Sequence, residues 1–473
     1  MASKSRGRSV GRRDFLFGRN RHKESDDIAS QQATIDSGRA ESGTRAREGA
    51  SRASCEAENS AHPARDRQAS DIILSIKHNS GLATPDTRRW TRILGSYRTP
   101  NHVRSIAELV ITALPLVTLW TAAWFTFSLG YAWASLLIAI PTAGFLLRLF
   151  MIQHDCGHGT FFAHRLANDW VGRVIGVLTL TPYDWWRRTH AIHHATTGNL
   201  DRRGIGDVDT LTVREYQARS WWGRLKYRLY RHPLVMFVVG PAYLFLLQHR
   251  LPVGLMRDGW QPWASTMATN LVIALIAAVL TSFIGVKAFL LVHLPIMLLA
   301  ATAGVWLFYV QHQFEQTAWE RDERWNLHQA ALYGSSHYDL PVLLRWFTAN
   351  IGIHHVHHRC CRIPFYRLPR VLRDYPELRE VGQITLLQSF RCVRLVLWDD
   401  AQRRLVSFRE IRAREFVETA PKLAAPHRLG RRPKDFLRSQ NRRQAWQKQC
   451  RKPASLITFA DDRSLRKLPR RIS

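Results

Sequence analysis

Four stretches of the 473-residue chain, 109–129, 131–153, 264–286 and 288–310, hold one charged residue between them, Arg148, and each can cross a bilayer. The shortest has 21 residues, and a helix of that length rises roughly 30 Å, the thickness of the hydrocarbon core. Lipid offers backbone N–H and C=O groups no hydrogen-bond partners, so each stretch must close its own hydrogen bonds as a helix. This predicts an all-α integral membrane fold. Only Gly130 separates the first two stretches and only Lys287 the last two, so both pairs read as transmembrane hairpins with very short turns. A fifth apolar run, 233–248, is shorter and broken by Gly240 and Pro241. It reads as interfacial or re-entrant, because a fifth span would put the chemistry before and after the second hairpin on opposite sides of the membrane.

The formal charge is +31, and its distribution sets the orientation. Residues 187–231 hold ten Lys/Arg, and Arg88, Arg89, Arg92, Arg98 and Arg104 precede the first span, whereas the hairpin turns hold one lysine. By the positive-inside rule both termini and the connecting segments face the cytoplasm, as in a bacterial inner membrane. Trp120, Trp133, Trp263 and Trp306 sit near span ends, as an interfacial belt would. Such basicity also raises nucleic-acid binding. The charge, however, is spread over the ends and the loops beside apolar runs, which suits anionic headgroups better.

The chain divides into a basic disordered extension (1–84), a membrane domain (85–415) and a basic C-terminal tail (416–473) with 16 Lys/Arg against 4 acids. Within the extension, GRRDFLFGR (Arg12, Arg13, Phe15, Leu16) resembles a twin-arginine export signal, but no apolar segment follows it, so it reads as part of a basic arm. Six cysteines without CxxC or zinc spacing suit a reducing compartment.

The 21 histidines are clumped. One cluster is His154-Asp-Cys-Gly-His158, a second is His190-Ala-Ile-His193-His194, and a third is His354-His-Val-His357-His358. A smaller one, Gln311-His312-Gln-Phe-Glu315, follows the fourth span as the first follows the second. Residues i, i+3 and i+4 share a helix face, so each cluster should aim two or three imidazoles at one point, with His355 turned elsewhere. One HxxHH arises by chance with probability on the order of 0.04 at this composition, so two with an HxxxH are not accidental. On the deduced topology all four groups meet just under the membrane, in a cytosolic helical cap. Eight or nine imidazoles exceed the three or four that satisfy one zinc. Imidazole suits iron, copper, nickel and zinc alike, and a nitrogen-rich two-metal site beside lipid suits non-haem iron and O₂. Hydrolysis fits less well, since no carboxylate is placed as its base. Asp155 and Glu315 are candidate bases, but read better as partners that orient imidazoles or as simple helix-surface charges, and Gln311 and Asn350 could reach the site through water.

HDCGHGTFF, RRTHAIHHATTGNLD, FYVQHQFE and NIGIHHVHHRCCRIPFYRLP, in that order and with a hairpin between the second and third boxes, resemble the membrane fatty acid desaturases. The nearest likeness is to the Δ12 (omega-6) branch, over residues 85–410. The resemblance implies a di-iron centre held by His154, His158, His190, His193, His194, His354, His357 and His358, with His312 as an additional ligand. It implies O₂-dependent desaturation of a membrane-associated acyl chain entering a kinked apolar tunnel. With no haem-binding segment of the cytochrome b5 type and no ferredoxin-type cysteine cluster in the sequence, electrons must come from an external donor. An acidic ferredoxin, or a cytochrome b5-like protein, docking on the basic cytosolic face fits that need. A related di-iron lipid or carotenoid hydroxylase or ketolase is the alternative, since hydroxylation and desaturation begin with the same C–H abstraction. A histidine-rich metal transporter would need a path of ionisable groups through the spans, and only His293 and Arg148 lie there.

Overall fold

A computed structural model describes residues 85–419. The N-terminal extension with its Arg12–Arg13 motif, and the C-terminal tail beyond residue 419, lie outside the described residues. A short helix, α1 (Pro85–Gly95), leads into two long apolar helices, α2 (His102–Ser128) and α3 (Ala132–Gly157). The Asn101 side chain caps α2 by accepting from the Arg104 N–H. The α2–α3 turn passes through Gly130 at φ 87°, where a side chain would be strained. Both helices outrun the predicted spans. At its N-terminal end α2 takes in Glu108, and at its C-terminal end α3 continues through the first histidine box.

From α3 the chain runs through α4 (Arg165–Leu178), α5 (Tyr183–Thr196), β1 (Leu211–Thr212), α6 (Val213–Ala218) and α7 (Trp221–Tyr230). The fifth apolar run forms a π-helical turn (Val235–Val239), α8 (Gly240–Leu246) and a 3₁₀ turn (Gln248–Arg250), bent by 58° from α7. A Cβ on Gly240 would stand 2.9 Å from the Val235 carbonyl oxygen, so the π-turn closes only around a glycine. Next come α9 (Trp260–Ile284) and α10 (Val286–His312). The break between them is Gly285, at φ 79°, and not Lys287, which lies in the first turn of α10. The left-handed backbone there favours glycine, a conformational demand that outweighs the position of the charge.

The remaining elements are α11 (Leu327–Tyr333), β2 (His337–Asp339), α12 (Val342–Phe347), α13 (His354–Arg359), α14 (Leu368–Asp374), β3 (Gln383–Thr385), α15 (Leu386–Cys392), β4 (Leu397–Asp399), β5 (Arg404–Val406) and α16 (Phe408–Thr419). The all-α expectation therefore needs amending by two small sheets. In one, β4 pairs in parallel with β1 and antiparallel with β5; in the other, β2 pairs in parallel with β3. Strands of two or three residues are too short for a period-two pattern to mark them in sequence.

Among the described residues, four helices are long and apolar enough to cross a membrane: α2, α3, α9 and α10. Three of them pack together, with α3 between α2 and α10, around Ala123, Ala139, Ala143, Leu147, Ile296 and Ala300. Small residues let these backbones approach closely. The fourth, α9, leans on α4, α5 and α10 and keeps Leu271, Leu275, Val279 and Phe283 exposed. Together with exposed Leu114, Val117, Leu137 and Ile140 these form an apolar surface suited to lipid. The protein is a membrane protein.

Candidate metal centre

Four helices deliver the histidines. The last turn of α3 carries His154, with His158 as its C-cap; α5 carries His190, His193 and His194; α10 ends on His312; and the six-residue α13 carries His354, His357 and His358. Their ring nitrogens form two groups, in each of which they lie within 4.8 Å of one another. Group one is His154, His158, His190, His194 and His357; group two is His193, His312, His354 and His358.

The single-point expectation holds for the first box and is corrected by this division for the two HxxHH boxes. Residues four apart stay together: His154 with His158, His190 with His194, and His354 with His358. The residue three after the first His goes to the other group, as His193 and His357 do. At 100° per residue, a step of four leaves a side chain about 40° from its start and a step of three about 60° away on the other side. Two centres can thus be served from one short helix.

Within the groups the Nε2 atoms converge. His158–His190, His190–His194, His193–His312 and His312–His354 each stand 3.1 Å apart, and His194–His357 3.2 Å. Hydrogen bonding does not account for all of these contacts. His193 Nδ1 lies 2.6 Å from Asp207 Oδ1, and His312 Nδ1 lies 3.1 Å from the Gly334 carbonyl oxygen. Each Nδ1 must donate to its oxygen acceptor, which leaves both Nε2 atoms as lone-pair acceptors facing each other. A cation between them resolves that opposition. Nitrogens bound at roughly 2.0–2.1 Å and 90–109° apart would be about 2.8–3.4 Å from one another, which brackets the observed spacing. Moreover, His154 Nε2 in group one and His358 Nε2 in group two are buried with no hydrogen-bond partner, a condition that costs about 1–3 kcal/mol per group unless a ligand relieves it. The residues present fit a metal in each group.

The electrostatics agree. Burial pushes His158, His190, His194, His354, His357 and His358 well below the usual imidazole range, and neighbouring imidazoles reinforce the shift. They are therefore neutral at physiological pH, the form that binds metal. By contrast His355, although buried, is turned to the Leu378 carbonyl oxygen at 2.8 Å and joins neither group, as expected.

The four residues expected around the imidazoles divide differently. Asp155 is buried, with Oδ1 3.3 Å from His154 Nδ1 and Oδ2 accepting from the Phe365 N–H at 2.7 Å. Gln311 donates to the Ile351 carbonyl at 3.0 Å, and Asn350 to that of Phe365 at 3.3 Å, so both brace the chain beside the third box. Glu315 is exposed just past α10, where the helix has ended and the chain turns outward; it orients no imidazole. Besides Asp155, the carboxylate that does is Asp207, which sequence reasoning missed. Its only signal was membership in the loop GIGDVDT after the second box, where Asp209 is an equal candidate by spacing. Trp186 was also missed: it stacks on His190 with ring centroids 4.6 Å apart and planes at 13°. A narrow cleft reaches group two between Asp207, Asn199, Phe308, His312 and Trp319.

Comparison with known proteins bears on what this centre is for. The fatty acid desaturase family model matches residues 131–386, which span all three boxes. A protein from Bacillus subtilis named fatty acid desaturase is 43% identical over 325 residues, covering 69% of this chain and 92% of its own. The sn-1 acyl-lipid omega-3 desaturase (ferredoxin) of Synechocystis is 29% identical over 47% of this chain and 62% of its own. The chloroplastic omega-6 fatty acid desaturase of Spinacia oleracea is 26% identical over 63% of this chain and 61% of its own. The chain belongs to the fatty acid desaturase family of oxidoreductases.

Proposed function

We propose that this desaturase is a di-iron enzyme that places a double bond of the Δ12 (omega-6) type in a membrane-associated acyl chain. One observation carries the reading: nine imidazoles from four helices form two nitrogen-only groups, each containing a buried, unpartnered Nε2. Iron bound in both groups would supply O₂-dependent two-electron oxidation: two adjacent methylenes lose one hydrogen each, and O₂ with two electrons and two protons becomes two waters. The nine histidines would hold the metals through ring-nitrogen lone pairs. Asp207 and the Gly334 carbonyl fix the tautomers of His193 and His312, so that their Nε2 lone pairs face inward. Trp186 packs flat against His190 and braces its ring on the group-one side.

Two transmembrane hairpins, α2–α3 and α9–α10, support a helical cap on the cytoplasmic side of a bacterial inner membrane. The arginines of 187–231 and of the segment before α2 favour that orientation. Residues 85–415 make up the catalytic domain, flanked by basic ends that suit an anionic membrane surface. Electrons come from a separate acidic carrier such as a ferredoxin, a donor that also appears in the name of the Synechocystis relative. Rising salt should then slow turnover, and a salt-independent rate would argue against that donor.

The decisive experiment is expression in a host whose membranes contain oleate, together with iron analysis of the purified protein. New dienoic acids and two irons per chain are expected. Hydroxylated products would favour the hydroxylase alternative. Conversion of supplied linoleate to a triene, with oleate untouched, would replace omega-6 by omega-3 regiochemistry, which the names of several relatives carry.

A further inference from the structure

We propose that a charge pair inside the membrane-spanning helices, Glu108 of α2 and Arg148 of α3, is a clamp that holds the stretch carrying the third histidine box against α3. Arg148 is thereby a positioning residue for the metal centre. The inference rests on the two-metal reading of the site. Both side chains are about 2% exposed and ion-paired to each other, and Glu108 also pairs with Arg104 at 2.6 Å. Taken from sequence alone, Arg148 is a cation near a span end, where it could extend to the interface; in the structure it is sealed inside.

Stability is a weak reason to keep such a pair, because apolar residues of similar volume often replace buried ion pairs without loss. Charge at membrane depth more often marks function. What Arg148 touches shows what that function is. Its guanidinium donates to Glu108, to Thr112 Oγ1 at 3.2 Å and to the Trp346 backbone carbonyl. It also stands 4.0 Å from the centroid of the Trp346 ring and 5.3 Å from that of Phe365. Trp346 lies eight residues before His354, and Phe365 seven after His358. One guanidinium thus meets both ends of the stretch that supplies three of the nine imidazoles.

The rest of the helix stripe works the same way. Gly144, Arg148 and Asp155 stand at i, i+4 and i+11, within about 40° of one another around α3. A Cβ on Gly144 would come within 2.9 Å of the Phe347 ring, so that glycine admits α12 against the helix. Asp155 accepts from the Phe365 N–H and lies against His154 Nδ1, linking the far end of the stretch to the first box. The Asn350 amide closes the loop onto the Phe365 carbonyl. An arginine is suited to the position because its planar fork reaches acceptors on separate elements at once, which a lysine ammonium cannot.

The test uses the full chain in detergent, loaded with iron, and begins with the unmutated protein. Fewer than two irons there would refute the reading of the site itself. The double variant Glu108→Gln/Arg148→Met then removes both charges and strands neither. The expected result is unchanged helicity by circular dichroism, iron affinity lowered about ten-fold or more, and an altered Mössbauer spectrum for the iron that remains. Two irons in the double variant, with unchanged affinity and spectrum, would overturn the clamp while leaving the di-iron reading intact. Should the double variant not fold, Arg148→Lys serves in its place. It keeps the charge beside Glu108 but cannot span to Thr112 and Trp346 together, so weakened iron binding is expected and unaltered binding overturns the clamp.

Discussion

The two imidazole groups share α5 and α13, draw separately on α3 and α10, and are held in different ways. Group one has five imidazoles, with His158 and His190 half-buried, and its periphery is mainly aromatic: Trp186 stacks on His190 and lies 5.9 Å from His154 by ring centroids, and the one carboxylate beside it, Asp155, stands at a longer 3.3 Å from His154 Nδ1. Group two has four, all buried, and two of them are fixed by hydrogen bonds to Asp207 and the Gly334 carbonyl. Ring packing sets a plane loosely, whereas a hydrogen bond to Nδ1 sets both the tautomer and the direction of the lone pair. Group two should therefore depend on single polar partners, and group one on its number of ligands.

Ligand removal is the harshest way to break this contrast. His312→Ala leaves group two with three imidazoles, and activity should fall to background with about one iron lost per chain. His194→Ala leaves group one with four; activity should also be abolished, but with a smaller loss of iron. Activity and iron content measured on the same preparations check both, and full activity in either would end the di-iron reading.

Acid should act on both groups together. Burial holds the six depressed histidines neutral in the folded state, while the unfolded chain protonates them near 6.5. The unfolded state thus binds more protons below that value, and the stability of the metal-free protein should fall as pH drops through 6.5 and keep falling below it. His355 and His249, both lowered to about 3 by burial, extend the same trend toward pH 3. Thermal melting of metal-free protein from pH 7.5 to 5 tests the sign; a melting temperature that rises on acidification would contradict it.

Asp207→Ala should lower iron affinity at group two by about 10–100-fold and leave group one loaded. Asp207→Asn, whose amide oxygen can still accept from Nδ1, should lose less. Equal loss from both groups would erase the distinction drawn between them. The smallest effect is expected from Trp186→Leu, a few-fold drop in turnover with iron content intact, since an aromatic contact contributes about 0.5–1.5 kcal/mol beyond its buried area.

What the sequence made legible follows from the range of the signals. The spans and boxes are local patterns, an apolar run and an i, i+4 spacing, and each reappears in the structure within a few residues of its expected place. Asp207 was hidden because its partner His193 is 14 residues away across an irregular loop. The Glu108–Arg148 contact joins residues 40 apart on different helices, and Glu108 lay one residue outside the predicted span. The breaking role of Gly285 was masked by the more conspicuous Lys287 two residues later. The splitting of each HxxHH between two centres depends on where other helices stand, which no pattern inside five residues encodes.

That split has a mechanical consequence. His193 and His194 are consecutive, as are His357 and His358, and each pair straddles the two groups. Consecutive Cα atoms are 3.8 Å apart across a trans peptide, a distance that bond lengths and angles fix. The two groups are thus tied together twice through single peptide units, with the paired rings 5.7 and 5.9 Å apart by centroids, like two rungs of one ladder. When helices tilt or slide, the Cα-to-Cα length of each rung does not change.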